Sequence, residues 1–265
     1  MTKIISFANQ KGGVGKTTTV VNVAASWAGQ GKKVLVIDMD PQGNASSGLG
    51  VREAVAGTYE VLILEDEVSQ HLQRLENPAL HLLAGHPDLA GAAVELVNMD
   101  GREFRLRDKL AEVKNNYDYI LIDCPPALGL LTINALATSD GVIIPVQSEY
   151  YALEGLSQLL NTLSLVREHI HSELEIYGAV LTMVNKRNLL SEAVIEQMKK
   201  HFPHYVFTTS IPRNVKLAEA PSYGQPITSY DPASAGARAY QSLAEEINNL
   251  LNPQSEQQMV QNFTV

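Results

Sequence analysis

The sequence predicts an α/β fold, a mostly parallel, twisted β-sheet with helices on both faces, and three observations carry that prediction. Short apolar runs rich in β-branched residues alternate with stretches of helical spacing along nearly the whole chain. Several runs are apolar at consecutive positions, the pattern of a strand covered on both sides. The first run passes through a glycine-rich loop straight into a helical pattern, and two later runs end in aspartate. Those aspartates fall at the C-terminal edge of the strands, where open parallel sheets hold their ligands.

Lys3 to Phe7 is the first strand and Thr19 to Gln30 the first helix. Between them Gly12, Gly13, Val14 and Gly15 let successive backbone N–H groups turn toward an anion, at the start of a helix whose dipole favours negative charge. Lys16 would reach the β- and γ-phosphates of a nucleoside triphosphate, and the hydroxyl of Thr17 would coordinate Mg²⁺, with Thr18 completing the loop. The common pattern G-x-x-x-x-G-K-[ST] fails at one place, because Gln10 stands where its first glycine belongs. A second lysine, Lys11, opens the loop instead. Alone, Lys11 reads as a solvated loop charge; beside a phosphate cradle, a second fixed cation can neutralise charge developing in phosphoryl transfer. The run from Lys11 to Thr18 resembles the deviant Walker A motif of the ParA/MinD ATPases. That resemblance implies that Lys11 reaches the nucleotide of the opposite protomer in a sandwich dimer.

Lys32 to Asp38 is a second buried strand, delivering Asp38 and Asp40 to its C-terminal end. Asp38 reads equally as a turn or helix cap. A carboxylate with an unperturbed pKa of about 3.9 is a poor base at neutral pH, so Asp40 is expected to orient an attacking water. The segment Asp38 to Asn44 is similar to the ParA switch I, in which the second aspartate is needed for hydrolysis.

From Val51 to Asn116 the spacing predicts helices over 59–75 and 87–97, a short strand over 79–83 and an amphipathic, solvated helix over 102–114. His71, His81 and His86 lack metal-site spacing and read as surface or structural residues. Tyr117 to Asp123 is an apolar run ending in aspartate, the Walker B arrangement, with Asp123 as the Mg²⁺ residue. Pro125 and Pro126 stiffen the segment after it, and Cys124 reads as a small buried residue.

Strands follow at 141–146 and 176–185, with a long amphipathic helix ending at His169 between them. The resemblance places the junction at Glu149 to Leu156 on the dimer face. Asn185 carries an amide able to match the edge of adenine, and the segment Ile211 to Pro221 resembles the family's loop over the base, with Pro212 and Asn214 as its contacts. The last helix opens at Asp231-Pro232 and runs to about Leu251, with Ala239, Leu243, Ile247 and Leu250 as its docking stripe.

The sequence reads as one ATPase domain over residues 1–251 and a polar, disordered tail over 252–265, since no linker, repeat or charge block divides it. One cysteine excludes an intramolecular disulfide and a cysteine-ligated cluster, and fits a reducing cytoplasm. No leader and no apolar run of roughly 20 residues are present, so a soluble protein is expected. The net charge of −9 does not exclude DNA, because screening over about 8 Å leaves a local basic patch to decide. Lys186, Arg187, Lys199, Lys200, Arg213 and Lys216 are the candidate DNA contacts.

On four motifs in order, the chain resembles the chromosomal ParA/Soj partition ATPases, P-loop NTPases of the deviant Walker A type. The resemblance implies an ATP- and Mg²⁺-dependent homodimer that binds non-specific double-stranded DNA at the nucleoid and hydrolyses ATP slowly until a ParB-type partner stimulates it. A MinD-like membrane-cycling regulator would carry a basic amphipathic C-terminal helix, and residues 254–265 hold no lysine or arginine. A small-molecule ATP-dependent ligase of the dethiobiotin-synthetase type would share the phosphate loop and need a substrate pocket.

Overall fold

A computed structural model describes residues 1–149, 152–185 and 188–253. Seven strands form one sheet: β1 (Lys3–Phe7), β2 (Val34–Asp38), β3 (Leu72–Arg74), β4 (Leu80–Leu83), β5 (Tyr119–Asp123), β6 (Gly141–Gln147) and β7 (Glu175–Thr182). Their order is β3-β4-β2-β5-β1-β6-β7, with every pairing parallel except β3 on β4. The phosphate-loop strand β1 lies at the interior, between β5 and β6. Its C-terminal residue Phe7 is in register with Asp123, and Asp123 with Asp38, so the three informative strand ends meet on one edge.

Alternation within the strands divides the core into two layers. Ile4, Leu35, Ile37, Ile120 and Ile122 face one side, packed by α4 (Leu89–Glu95), α6 (Leu130–Thr138) and α7 (Ala152–His169). Ile5, Phe7, Val34, Val36 and Leu121 face the other, against α1 (Lys16–Gly29) and α11 (Ala235–Leu251). Trp27 of α1 sits wholly buried in this second layer, stacked on Tyr119 at 4.0 Å between ring centroids, and its indole N–H donates to the Ala244 carbonyl at 3.0 Å.

Several element boundaries differ from the sequence expectation. The helix α1 starts at Lys16, three residues earlier than expected, so its first turn belongs to the loop. The predicted helix over 59–75 is instead a π-helical turn (Glu60–Leu64), the single turn α3 (Val68–His71) and β3. Glu65 lies at φ 63°, a left-handed conformation that stops a helix. The helix over 102–114 contracts to α5 (Arg105–Leu110), where Asn134 of α6 accepts from the Leu106 N–H at 3.2 Å. β7 ends at Thr182 because Met183 turns left-handed at φ 54°. The last helix begins at Ala235, capped by the Ser234 hydroxyl, which accepts from the Ala237 N–H at 3.0 Å. Its buried stripe is Tyr240, Leu243, Ala244 and Ile247, while Leu250 is exposed and Ala239 only half-buried. Of the predicted tail, 254–265 lies outside the described residues.

Candidate functional site

The loop between β1 and α1 is anchored at both ends by side chains from the sheet. Asn9 accepts from the Lys11 N–H at 3.0 Å and donates to the Pro145 carbonyl of β6 at 2.7 Å. Thr182, the last residue of β7, donates its hydroxyl to the Val14 carbonyl at 2.7 Å. Gly15 caps α1 in the left-handed region at φ 88°, where a side chain would be strained. No side chain caps the helix, and residues Gly12, Gly13, Gly15, Lys16, Thr17 and Thr18 line a cleft of about 380 Å³. Asp40, Gln42, Asn44 and Pro126 face them across it.

The two lysines of the loop differ in their surroundings. Lys16 is buried, its ammonium donating to the Lys11 carbonyl at 3.3 Å. Burial lowers its pKa, opposed by the nearby carboxylate of Asp123 and, further down the scale, that of Asp40. Lys11 points outward and is ion-paired with Glu149 at 3.2 Å, and Glu149 also accepts from the Gln147 amide at 2.6 Å.

The three aspartates are equally distinct. Asp38 is fully buried and braces the segment that follows it, accepting from the Asp40 N–H at 3.1 Å, the Ser46 N–H at 2.9 Å and the Ser46 hydroxyl at 2.7 Å. Burial pushes its carboxyl up to about 6, against the pull of those donors. Asp40 lies at the cleft wall, one oxygen accepting from the Gln42 N–H at 3.0 Å. Asp123 is wholly buried, and neither carboxylate oxygen accepts a hydrogen bond of good geometry, although the Thr17 hydroxyl is close enough to favour its charged form. Burial, and next the charge of Asp38, hold its pKa well above the ordinary carboxylate value. Cys124 beside it is buried and its thiol is raised to about 12 by burial, then by Asp123.

A buried carboxylate that makes no well-formed hydrogen bond, near a hydroxyl and an ammonium, is an incomplete charge arrangement. Among the described residues no group of three or more His, Cys, Asp or Glu could hold a metal ion by itself. One carboxylate and one hydroxyl do suit Mg²⁺, which takes few protein ligands and completes its shell with water and phosphate oxygens. His71, His81 and His86 are engaged structurally, with Asp66 at 2.8 Å, Tyr117 at 2.8 Å and Glu60 at 3.2 Å.

A second depression of about 290 Å³ adjoins the loop, lined by Gly15, Thr18, Met183, Pro212, Asn214 and Tyr240 among others. Pro212 and Asn214 therefore sit together beside the phosphate loop. Asn214 also caps α9 (Val215–Glu219), accepting from the Lys216 N–H at 2.8 Å. Asn185 is exposed and lines a neighbouring hollow with Arg213 and Pro212, apart from the wall that Asn214 shares with the loop. Of the basic candidates, Lys199 and Lys200 are exposed in the last turn of α8 (Leu189–His201), and Arg213 is exposed at the rim of the second depression. Lys216 is paired with Glu219 at 2.9 Å. Lys186 and Arg187 lie outside the described residues, as do Tyr150 and Tyr151 of the expected dimer junction.

Sequence reasoning missed the supporting residues Asn9, Ser46, Glu149 and Thr182. Each acts through a partner far away in sequence or through a backbone atom, which no local motif marks. No described helix is long and apolar enough to cross a membrane.

Comparison with known proteins agrees with this geometry. A family model described as an AAA domain matches residues 2–176. The sporulation initiation inhibitor protein Soj of Bacillus subtilis (strain 168) is 54% identical over 249 residues, covering 93% of this chain and 98% of that protein. The chromosome partitioning protein ParA of Myxococcus xanthus (strain DK1622) is 49% identical over 260 residues, 97% of this chain and 92% of that protein. Among solved structures, cobyrinic acid a,c-diamide synthase from Mycobacterium smegmatis with bound ADP and magnesium superposes with a TM-score of 0.83 at 35% identity, covering 94% of this chain and 95% of that one. With a seven-stranded sheet that brings the glycine-rich loop and the strand-end aspartates to one edge, and with half its residues shared with Soj, the chain belongs to the ParA/Soj family of chromosome-partitioning ATPases.

Proposed function

We infer that this chain is an ATP-dependent dimerising ATPase that binds DNA non-specifically in chromosome partitioning, with slow hydrolysis stimulated by a ParB-type partner. The observation that carries the nucleotide part is the orphaned carboxylate of Asp123, buried beside Lys16 and Thr17 at the mouth of a glycine-rich loop. Such a carboxylate gains its missing partner when Mg²⁺ and triphosphate enter together. Mg²⁺, held by Thr17 and Asp123, would neutralise charge on the phosphate oxygens during transfer.

In this reading the backbone of residues Gly12 to Thr18 cradles the phosphates and Lys16 binds them, its burial strengthening the attraction. Asp40 orients the attacking water, and its fixed position follows from Asp38, which holds the Asp40 N–H. Lys11 leaves Glu149 and reaches the nucleotide of a second protomer, supplying the charge an arginine finger would. Pro212 and Asn214, with Asn185 at the margin, bound the base.

The DNA part rests on exposed Arg213, Lys199 and Lys200. Phosphate contacts of this number bind weakly in a monomer, and pairing two protomers raises the second contact to an effective concentration of order mM. ATP thereby switches DNA affinity through dimerisation.

The test is co-sedimentation with non-specific duplex DNA in ATP, ADP or no nucleotide, across a salt series, for wild type and Asp40→Ala. Binding only with ATP, prolonged in Asp40→Ala and falling steeply with salt, is the expected result. The likeness to cobyrinic acid a,c-diamide synthase favours one second reading, a small-molecule ATP-dependent ligase. ATP-driven dimerisation with no DNA binding under any salt condition would overturn the partition reading in its favour.

A further inference from the structure

We propose that Glu246, on α11, is the residue that positions the base-binding wall at Pro212 to Asn214, so that it sets affinity for the nucleoside part of the nucleotide and not for its phosphates. This rests on the nucleotide reading above and adds to it a residue outside every motif.

Residues after α8 run alongside β7 as an interrupted edge. The Ala179 N–H donates to the Tyr205 carbonyl at 2.8 Å and the Phe207 N–H to the Ala179 carbonyl at 2.9 Å. Pairing then stops and resumes at Ile211, whose N–H donates to the Leu181 carbonyl at 2.8 Å. Beyond it the Val184 N–H donates to the Ile211 carbonyl at 2.9 Å, and Arg213 N–H to the Val184 carbonyl at 3.1 Å. The break spans Thr208 to Ser210, and two amides in it have turned away from the strand.

Glu246 takes both. One carboxylate oxygen accepts from the Tyr205 hydroxyl at 2.7 Å, the Thr208 N–H at 2.7 Å and the Thr208 hydroxyl at 2.9 Å. The other accepts from the Thr209 N–H at 2.8 Å. Burial acts to raise this carboxyl, yet the donors outweigh it and hold it below the ordinary value, so the group is charged at neutral pH. An anion receiving several donors is a stronger clamp than a neutral turn.

The clamp fixes where the chain re-enters pairing, and hence where Pro212 and Asn214 stand beside Gly15 and Thr18. The same helix places Tyr240 in that wall, six residues before Glu246. A slip of the break by one residue would turn the following side chains to the other side of the strand. The phosphate loop would not move, because its anchors are Asn9 and Thr182.

The test compares binding of Mg²⁺-ATP and of Mg²⁺ with inorganic tripolyphosphate, by calorimetry on the full chain, for wild type, Glu246→Ala and Glu246→Gln. The expected result is an ATP Kd roughly 10- to 100-fold higher in both variants, the scale of a lost charge-assisted hydrogen bond, with tripolyphosphate unchanged. A residue serving only stability would weaken both ligands alike, or neither in the folded fraction. If the α11 variants fail to fold, Tyr205→Phe combined with Thr208→Val removes two contacts from the other side and carries the same comparison. Equal loss for both ligands, or an ATP Kd within about twofold of wild type, overturns the proposal. A wild type that binds tripolyphosphate and ATP equally also overturns it, and one that binds neither removes the nucleotide reading itself.

Discussion

Replacing Asp123 by Asn should make the nucleotide-free protein more stable and abolish the stabilisation that Mg²⁺-ATP provides. The carboxyl is wholly buried, neither oxygen accepts a hydrogen bond of good geometry among the described residues although the Thr17 hydroxyl is near, and burial together with the Asp38 charge holds its pKa above the unfolded value. A folded-state pKa raised in this way makes folding progressively less favourable as pH rises from the unfolded pKa through the folded one. Taking up a proton at pH 7 against a solution pKa of about 3.9 costs at most about 4 kcal/mol. An orphaned polar group of ordinary kind costs about 1 to 3 kcal/mol, part of which the Asn amide retains. The expected gain is thus on the order of 1 to 3 kcal/mol, or roughly 2 to 10 °C in Tm for a domain of this size. Thermal melts in EDTA from pH 5 to 8 should show wild type falling relative to the variant as pH rises. With Mg²⁺-ATP at about 1,000 times its Kd, wild type should gain about 4.1 kcal/mol, and the order of the two proteins should reverse. A variant less stable than wild type in EDTA at every pH would refute the reasoning, because it would mean that the Asp123 carboxylate has partners in the folded protein.

Two further outcomes follow from close packing. A Cβ at Gly85 would meet the Asp38 Cγ at 2.8 Å and the Asp40 carbonyl oxygen at 2.9 Å, so Gly85→Ala should displace Asp40, lowering ATP turnover by about tenfold or more while Mg²⁺-ATP binding, measured by calorimetry, stays near wild type. Trp27→Ala should cost about 3 to 5 kcal/mol, read from urea denaturation followed by far-UV circular dichroism, since the substitution leaves a cavity, removes the stack on Tyr119 and loses the indole hydrogen bond to the Ala244 carbonyl.

The parallel core and the convergence of the glycine-rich loop and strand-end aspartates on one edge were legible because local pattern and tertiary position coincide there. A run such as Val34 to Asp38 is apolar at consecutive positions because both its faces are covered, and its terminal aspartate, buried at the C-terminal edge that parallel strands share, braces Asp40 at the cleft wall. Between residues 59 and 75 that coincidence fails. Apolar spacing there suits a helix, but Glu65 at φ 63° and the antiparallel pairing of Leu72 to Arg74 with β4 impose a break that spacing does not encode. The end of β7 escaped for the same reason, since nothing in the run up to Asn185 announces the left-handed turn at Met183. Supporting residues were the least visible. Ser46 holds Asp38 from eight residues away, and Glu246 holds Thr208 from 38 away, through backbone amides that any residue could offer.

The contrast between the two loop lysines bears on the proposed dimerisation. Lys16 is buried and cannot leave without stranding Asp123, whereas Lys11 is exposed and, among the described residues, its ammonium is held by a pair with Glu149, itself exposed. A pair of that kind is worth about 0.2 to 1 kcal/mol, so releasing Lys11 costs no more than about fivefold in an equilibrium. A triphosphate presented by a second protomer offers several charged oxygens in a site from which water is excluded, where each charge-assisted contact is worth about 1.5 to 3 kcal/mol. In the proposed dimer the exchange of partners is therefore favourable for Lys11, and it offsets part of the cost of association. ADP, with one phosphate fewer, reduces that gain without changing the cost of release. If the chain dimerises as proposed, the nucleotide dependence of that step would reside in what Lys11 moves toward, and the weak contact it leaves behind would make the move reversible after hydrolysis.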